Sequence, residues 1–255
     1  MPTALITGAS AGLGAEFARQ LAAKGYDLVL VARDAERLAG AADALRRAHS
    51  VSVDVLPADL VSDEGCAAVA ERISDAQRPV DVLVNNAGSG MYQVFGAGTL
   101  EAEERQLDLN VRAVLRLTHA AVRAMTVRNS GRIINVSSVA GYVPRGSNAT
   151  YSASKAWVTM FSEGLSVQLR GTGVSVTAVC PGFTRTEFHE RAHADMSHVP
   201  ERMWLDAADV VREGLADAFA GKPVSVPSRQ YRRLLLGVKV LPRPLLRRIM
   251  ARRAF

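Results

Sequence analysis

Only two cysteines, Cys66 and Cys180, occur in the sequence. They fall in segments that read as a helix and a strand, which excludes a disulfide framework and fits a chain kept in a reducing cytoplasm. No apolar run approaches the roughly 20 residues of a membrane span. Met1 and Pro2 lead at once to Ala4-Leu5-Ile6, too short and too soon interrupted by Gly8 to be a signal peptide. Internal repeats, low-complexity stretches and dividing linkers are also missing, so 255 residues with 48% hydrophobic content are expected to form one domain. Acid is lacking from the C-terminal end: eight arginines and one lysine follow from Arg229 onward. With the whole chain at +6, the remainder is left at −3. A basic tail on a mildly acidic body argues for a local contact surface and against nucleic acid as a partner.

What is present is alternation. Ala4–Thr7, Leu28–Val31, Val51–Leu56, Val80–Val84, Ile133–Val136 and Val174–Val179 are short β-branched runs. Between them Ala15–Lys24, Glu36–Ala48, Glu64–Ala76, Glu101–Met125 and Tyr151–Leu169 carry apolar residues at helical spacing. Such alternation predicts βαβ crossovers, hence a doubly wound, Rossmann-like α/β fold with a parallel sheet and helices on both faces. Residues 1–228 form the expected body and 229–255 its basic tail. The pattern breaks down into polar residues, His and Met over 187–205, which predicts a loop or lid near the strand ends where ligands bind.

Chemistry concentrates at a few places. Thr7-Gly8-Ala9-Ser10-Ala11-Gly12-Leu13-Gly14 follows the first strand and opens a helix; its glycines permit a tight turn, and free helical amides favour a pyrophosphate. Tyr151 and Lys155 stand four apart, on one face of a predicted helix. A cation beside a phenol favours phenolate, so the pair can act as a proton donor and acceptor near neutral pH. Either Ser137 or Ser138, at a strand's C-terminal end, can donate to a substrate oxygen.

The spacing T-G-x-x-x-G-x-G resembles the cofactor loop of the short-chain dehydrogenases/reductases. Further matches run in that family's order: Asn85-Asn86-Ala87-Gly88, Asn110, Ser137-Ser138, Tyr151-Ser152-Ala153-Ser154-Lys155 and Pro181-Gly182. The resemblance implies an NAD(P)-dependent oxidoreductase interconverting a carbonyl and a secondary alcohol. In it Ser138, Tyr151, Lys155 and Asn110 are catalytic, Asn110 holding a water near Lys155 through its side chain or a disrupted backbone. It further implies that Gly8, Ser10, Gly12, Leu13 and Gly14 receive the pyrophosphate, with Asp59 and Leu60 at the adenine and Asn86, Ala87 and Gly88 at the ribose. Tyr151 and Lys155 also meet the cofactor, and Pro181, Gly182, Thr184 and Thr186 reach its carboxamide and phosphates. NAD-preferring members place an acid where Ala32 stands; here Arg33 follows instead, and a guanidinium matches a 2′-phosphate, so NADP(H) is the expected cofactor. Asp34 stands beside that arginine and is able to neutralise it.

Met91, Tyr92, Phe95, Tyr142, Phe183, Phe188, Met203 and Trp204 are the candidate pocket residues, and their apolar character points to a small hydrophobic carbonyl or alcohol substrate. A homodimer or homotetramer through the two long helices is implied by the resemblance. Two other readings compete. One is a catalytically silent nucleotide-sensing module whose tail binds a partner. The other is a zinc hydrolase, since His189-Glu190-Arg191-Ala192-His193 is an H-E-x-x-H spacing with Glu213 as a conceivable third ligand; polar flanks in a lid segment argue for no metal. Leu245, Leu246, Ile249 and Met250 against Arg247, Arg248, Arg252 and Arg253 make a short amphipathic helix that can dock on its own domain, on another subunit or, peripherally, on an anionic membrane.

Overall fold

Strand and helix alternate in the computed structural model much as the periodicity predicts; it describes residues 1–192 and 194–251, so His193, Arg252 and Arg253 lie outside the described residues. β1 (Thr3–Thr7) leads into α1 (Gly12–Ala22), β2 (Asp27–Ala32) into α2 (Ala35–Ala48), and β3 (Val53–Pro57) into α3 (Asp63–Ser74). After β4 (Val82–Asn85) come α4 (Leu100–Leu107), a π-helical turn (Asp108–Arg112) and α5 (Ala113–Val127). Next are β5 (Gly131–Val136), a 3-10 turn (Val139–Tyr142), α6 (Ala149–Gln168) and β6 (Val174–Val179). The chain ends with α7 (Phe188–Arg191), a 3-10 turn (Glu201–Met203), α8 (Ala207–Phe219), β7 (Val224–Ser225), α9 (Arg229–Val240) and α10 (Arg243–Ala251).

All seven strands are parallel, in the order β3-β2-β1-β4-β5-β6-β7. The order reverses between β1 and β4, where Ala4 is in register with Val82, and this opens a crevice at the carboxyl ends of those two strands. Alternate residues feed two cores. Ala4 and Ile6 pack with Phe17, Leu21, Leu38, Val211 and Leu215 on one face, while Leu5 packs with Val69, Ile73, Leu117 and Met125 on the other. That two-sided burial is why the strands read as continuous apolar runs.

Three departures from the sequence expectation have physical reasons. The helix expected over Glu101–Met125 is interrupted by the π turn, where Asn110 is fully buried and hydrogen-bonds Ser89 instead of facing water. β7 has two residues, too few for a periodicity to register, and is held by Ala178 N to the Pro223 carbonyl and Cys180 N to that of Ser225. The segment after Pro181-Gly182 is an excursion pinned at both ends: Leu205 N donates to the Phe183 carbonyl (2.8 Å) and Arg185 N to that of Leu205 (3.0 Å).

The basic tail is layered onto the body. Tyr231 and Leu235 of α9 and Leu246 of α10 are buried. The Tyr231 hydroxyl accepts from Phe183 N (3.1 Å) and donates to the Met203 carbonyl (2.8 Å), tying the tail to both ends of the excursion. Tyr231→Phe keeps the ring but leaves a buried N–H and a carbonyl without their partner, so it is expected to cost about 1–3 kcal/mol. Urea denaturation measures this; a midpoint identical to that of the parent protein would mean the hydroxyl holds nothing.

Candidate active site

Two strand ends and one helix build the crevice. After β1, Gly8 and Gly12 adopt positive φ (66° and 54°), a backbone region closed to most side chains, and the turn folds back under α1. Thr7 Oγ1 accepts from the backbone N–H groups of Asn86 and Ala87 (both 3.0 Å), and Asn86 Nδ2 donates to the carbonyls of Thr7 (2.9 Å) and Gly8 (3.3 Å). These bonds lock the glycine turn to the Asn86–Gly88 segment. Asp34, Ser62, Thr99 and Asp206 cap α2, α3, α4 and α8, whereas no side chain caps α1, so its first amides face the crevice uncapped.

At the end of β5 the two serines part company. Ser137 is buried and donates to the Lys155 carbonyl (2.7 Å), with Thr159 Oγ1 2.7 Å away, so it fastens the strand to α6. Ser138 remains half-buried; its Oγ accepts from Ala140 N (3.1 Å) and its side chain faces the Tyr151 hydroxyl. Between them and the helix sits Gly141, where a Cβ would fall 2.7 Å from Ala156 N and 2.8 Å from the Lys155 carbonyl carbon. Only a glycine lets the 3-10 turn approach α6 that closely, and this closeness brings Ser138 to Tyr151.

Lys155 Nζ lies 5.7 Å from the centroid of the Tyr151 ring and donates to the Val136 carbonyl (2.8 Å). A Cβ at Gly88 would be 3.4 Å from that Nζ and 3.1 Å from Asn110 Oδ1, so lysine, asparagine and the Asn86–Gly88 stretch meet at one point. Asn110 clamps Ser89 in both directions, Oδ1 accepting from its N–H (2.9 Å) and Nδ2 donating to its carbonyl (2.8 Å). The side chain is thus committed to Ser89, and the backbone around it is a π-helical turn.

The electrostatics of the free protein differ from the sequence expectation. Tyr151 and Lys155 are both buried. Burial pushes the Tyr151 phenol up, with Tyr92 adding to it and Ser138 and Arg145 opposing, and burial pushes Lys155 down to about 8. Lys155 therefore does not acidify Tyr151 in the free protein: its amine is turned to the Val136 carbonyl and its own charge is disfavoured.

The other expected cofactor residues follow the carboxyl ends of β2, β3 and β6. Arg33 is exposed and makes no ion pair among the described residues, while Asp34 accepts from Arg37 N (3.0 Å) as the cap of α2 and is thereby turned away from it. Asp59 holds its own turn by accepting from Val61 N (3.1 Å), and Leu60 is a buried core residue whose side chain packs below the crevice. Thr186 sits directly over Gly12, its Cβ 3.2 Å from where a side chain there would begin. Thr184 is buried and donates to the Gly182 carbonyl (3.0 Å). An uncapped helix start and a turn with room only for glycine fit a pyridine dinucleotide.

Above Tyr151 the excursion supplies an aromatic wall. Phe188 lies 5.8 Å from the Tyr151 ring, and His189 is ringed by Phe188 (5.5 Å), Trp204 (5.2 Å), Phe183 (5.9 Å) and Tyr92 (6.2 Å). Phe95 is exposed and Tyr142 lies under the tail, with Lys239 Nζ 5.5 Å from its ring centroid, so these two do not join the wall. Sequence reasoning missed three members of the site: Gly141, His189 as a wall residue, and Arg145, which stands half-buried with its guanidinium carbon 6.0 Å from the Tyr92 ring centroid. Their shared signal was position, between Ser138 and Tyr151 or next to Phe188. Of the H-E-x-x-H spacing, His189 and Glu190 lie in α7, a helix of four residues, His193 lies outside the described residues, and Glu213 is held by Ser228 N (3.1 Å) and Arg232 (3.0 Å).

Comparison with known proteins agrees with this geometry. Residues 2–197 match the short chain dehydrogenase family. A short-chain dehydrogenase from Sphingobium yanoikuyae, solved in complex with NADPH, is 37% identical with a TM-score of 0.86 over 93% of this chain and 92% of that one. The bulky-bulky ketone specific alcohol dehydrogenase of Comamonas testosteroni is 33% identical, TM-score 0.82, over 94% and 92%. A ketoacyl reductase of Nostoc is 36% identical over 181 residues, which cover 71% of this chain and 63% of that protein. With the family matched across more than half its length and the fold shared almost end to end, the chain belongs to the short-chain dehydrogenases and is an oxidoreductase interconverting carbonyls and alcohols.

Proposed function

We propose that this oxidoreductase uses NADP(H) to interconvert a carbonyl and a secondary alcohol on a hydrophobic substrate, with Tyr151 as acid and base. The observation that carries the reading is the meeting of Ser138, Tyr151 and Lys155 beside the glycine turn and beneath the aromatic wall. The dinucleotide, when bound, supplies or accepts the hydride. Gly8, Ser10, Gly12, Leu13 and Gly14 would hold its pyrophosphate, with Arg33 at the 2′-phosphate and Asp59 and Leu60 beside the adenine. Asn86, Ala87 and Gly88 would line the ribose, and Pro181, Gly182, Thr184 and Thr186 the carboxamide end.

Within that arrangement Ser138 orients the substrate oxygen and Tyr151 gives it a proton in reduction, or takes one in oxidation. Lys155 holds the ribose, and the π turn at Asn110 keeps a water on the proton's path from Lys155 to solvent. A phenol whose ionisation is opposed by burial is a poor base until positive charge is brought beside it, which ties proton transfer to a loaded site. Residues 1–228 act as the catalytic body, 187–205 as its substrate lid, and 229–255 as a tail whose buried Tyr231, Leu235 and Leu246 support docking on the body over contact with a membrane. Two buried free cysteines suit a reducing cytoplasm.

Tyr151→Phe is expected to lower turnover by about 100-fold or more, the usual scale for losing a general acid, while NADPH still binds in a fluorescence titration. Unchanged turnover would exclude the role, and retained NADPH binding by a parent protein that reduces nothing would favour the silent nucleotide-sensing module. Arg33→Gln is expected to reduce kcat/KM for NADPH by about 10- to 100-fold, the scale of one charged hydrogen-bonding group, and to leave the value for NADH nearly constant. A parent enzyme that prefers NADH would refute the cofactor assignment. Leu115 on α5 and Met160 and Val167 on α6 are exposed, which supports association of copies through these helices; light scattering is expected to return a dimer or tetramer, and a monomer at micromolar concentration overturns this.

A further inference from the structure

The aromatic wall contains one charged side chain without a counter-charge. Arg145 lies between Pro144 and Gly146 on the segment joining the 3-10 turn to α6, half-buried, over the face of Tyr92. Three neighbouring arginines are paired, Arg185 with Glu201, and Arg37 and Arg191 with Glu187, while Arg202, unpaired among the described residues, is exposed to solvent. No carboxylate reaches Arg145 within ion-pair distance among the described residues. At 6.0 Å from the ring centroid its contact with Tyr92 is at the outer limit of a cation–π interaction and compensates little of the cost of partial burial. Next along the wall, His189 presents a second unsatisfied group, its buried Nδ1 having no hydrogen-bond partner. A continuous path of rings runs from Arg145 through Tyr92, His189 and Phe188 to Tyr151.

We propose that Arg145 receives an oxyanion group, carboxylate or sulfonate, carried by the carbonyl substrate, so that the substrate class is an acidic carbonyl compound with an apolar body. This inference rests on the oxidoreductase reading above and names its substrate. The planar fork of a guanidinium matches such a group with two parallel hydrogen bonds, and the water-poor wall strengthens them. His189 is held in its neutral form by burial first and by Arg145 second, so it offers a hydrogen bond and no competing charge. The field of Arg145 also reaches Tyr92 and Tyr151 and favours their ionised forms, which places the cation within electrostatic range of the reacting oxygen.

The test uses aryl ketones and aliphatic aldehydes that carry a carboxylate or sulfonate at graded distances from the carbonyl, each against its neutral ester or amide. Turnover is followed by NADPH absorbance, and binding in the presence of NADPH by the fluorescence of Trp204 in the wall. The parent enzyme is expected to favour at least one acidic member over its neutral counterpart by about 10- to 100-fold in kcat/KM, mostly through KM. Arg145→Gln should collapse that ratio, Arg145→Lys should restore part of it, and added salt should erode it. A ratio near one, a ratio that Arg145→Gln leaves intact, or no binding of any acidic member overturns the proposal. Arg145-dependent binding without any turnover would support the anion site and defeat the reaction assigned to it. Turnover with a ratio indifferent to Arg145 would do the reverse.

Discussion

Everything in the crevice depends on one backbone contact, the approach of the turn after β5 to the main chain of α6 at Lys155 and Ala156. Gly141 lies so close to Lys155 and Ala156 that a methyl group would overlap main-chain atoms, and Ser137 and the Lys155 amine sew the same junction from either side. The junction joins a strand end to a helix, two rigid elements, so the hydroxyl of Ser138 and the phenol of Tyr151 are held in one geometry. A loop-borne pair would have to be ordered on each encounter with substrate, at an entropic cost. The second brace, Thr7 and Asn86 between the glycine turn and the end of β4, does the same for the half of the crevice that faces the dinucleotide.

Burial then decides which charges the site tolerates. Tyr151 and Lys155 are each pushed toward the neutral form by burial, so Tyr151 stays a phenol while Lys155, lowered to about 8, keeps most of its charge at neutral pH. In the excursion above them Glu187 is shared between Arg37 and Arg191, and Arg185 is paired with Glu201. Against that background an unpaired guanidinium at Arg145 is conspicuous, because partial desolvation without a counter-charge is unfavourable unless a ligand supplies one. The hydrophobic reading of the pocket and the role proposed for Arg145 are compatible, since aromatic rings suit the apolar body of a substrate and a guanidinium its anionic end.

The tail changes the meaning of the lid. An excursion tied only at its own base would move as a free loop, but Tyr231 bonds both Phe183 and Met203, and thus couples the wall to a helix that follows β7. Docking takes up Tyr231, Leu235 and Leu246 of the tail, while Leu234, Leu236, Val240, Leu245 and Ile249 stay exposed beside its basic residues.

Much of this was legible in the chain. The glycine turn, the strand–helix alternation and the four-residue step from Tyr151 to Lys155 are local patterns, and local patterns survive without knowledge of neighbours. Asn110 was recognisable as an odd polar residue in an apolar helix, yet whether its amide or its backbone is free depends on Ser89, twenty-one residues away in sequence. The two adjacent serines were indistinguishable by spacing, and only the packing of α6 sends one to the helix backbone and the other to the phenol. By itself, then, the sequence determined the layered α/β architecture, since that follows from short-range periodicity, and it supplied the candidate reactive groups through residue chemistry and motif resemblance. Tertiary structure alone decided the direction of the charge shifts, the docking of the tail and the placement of Arg145 over Tyr92, because burial and contact between distant segments are properties of the assembled fold.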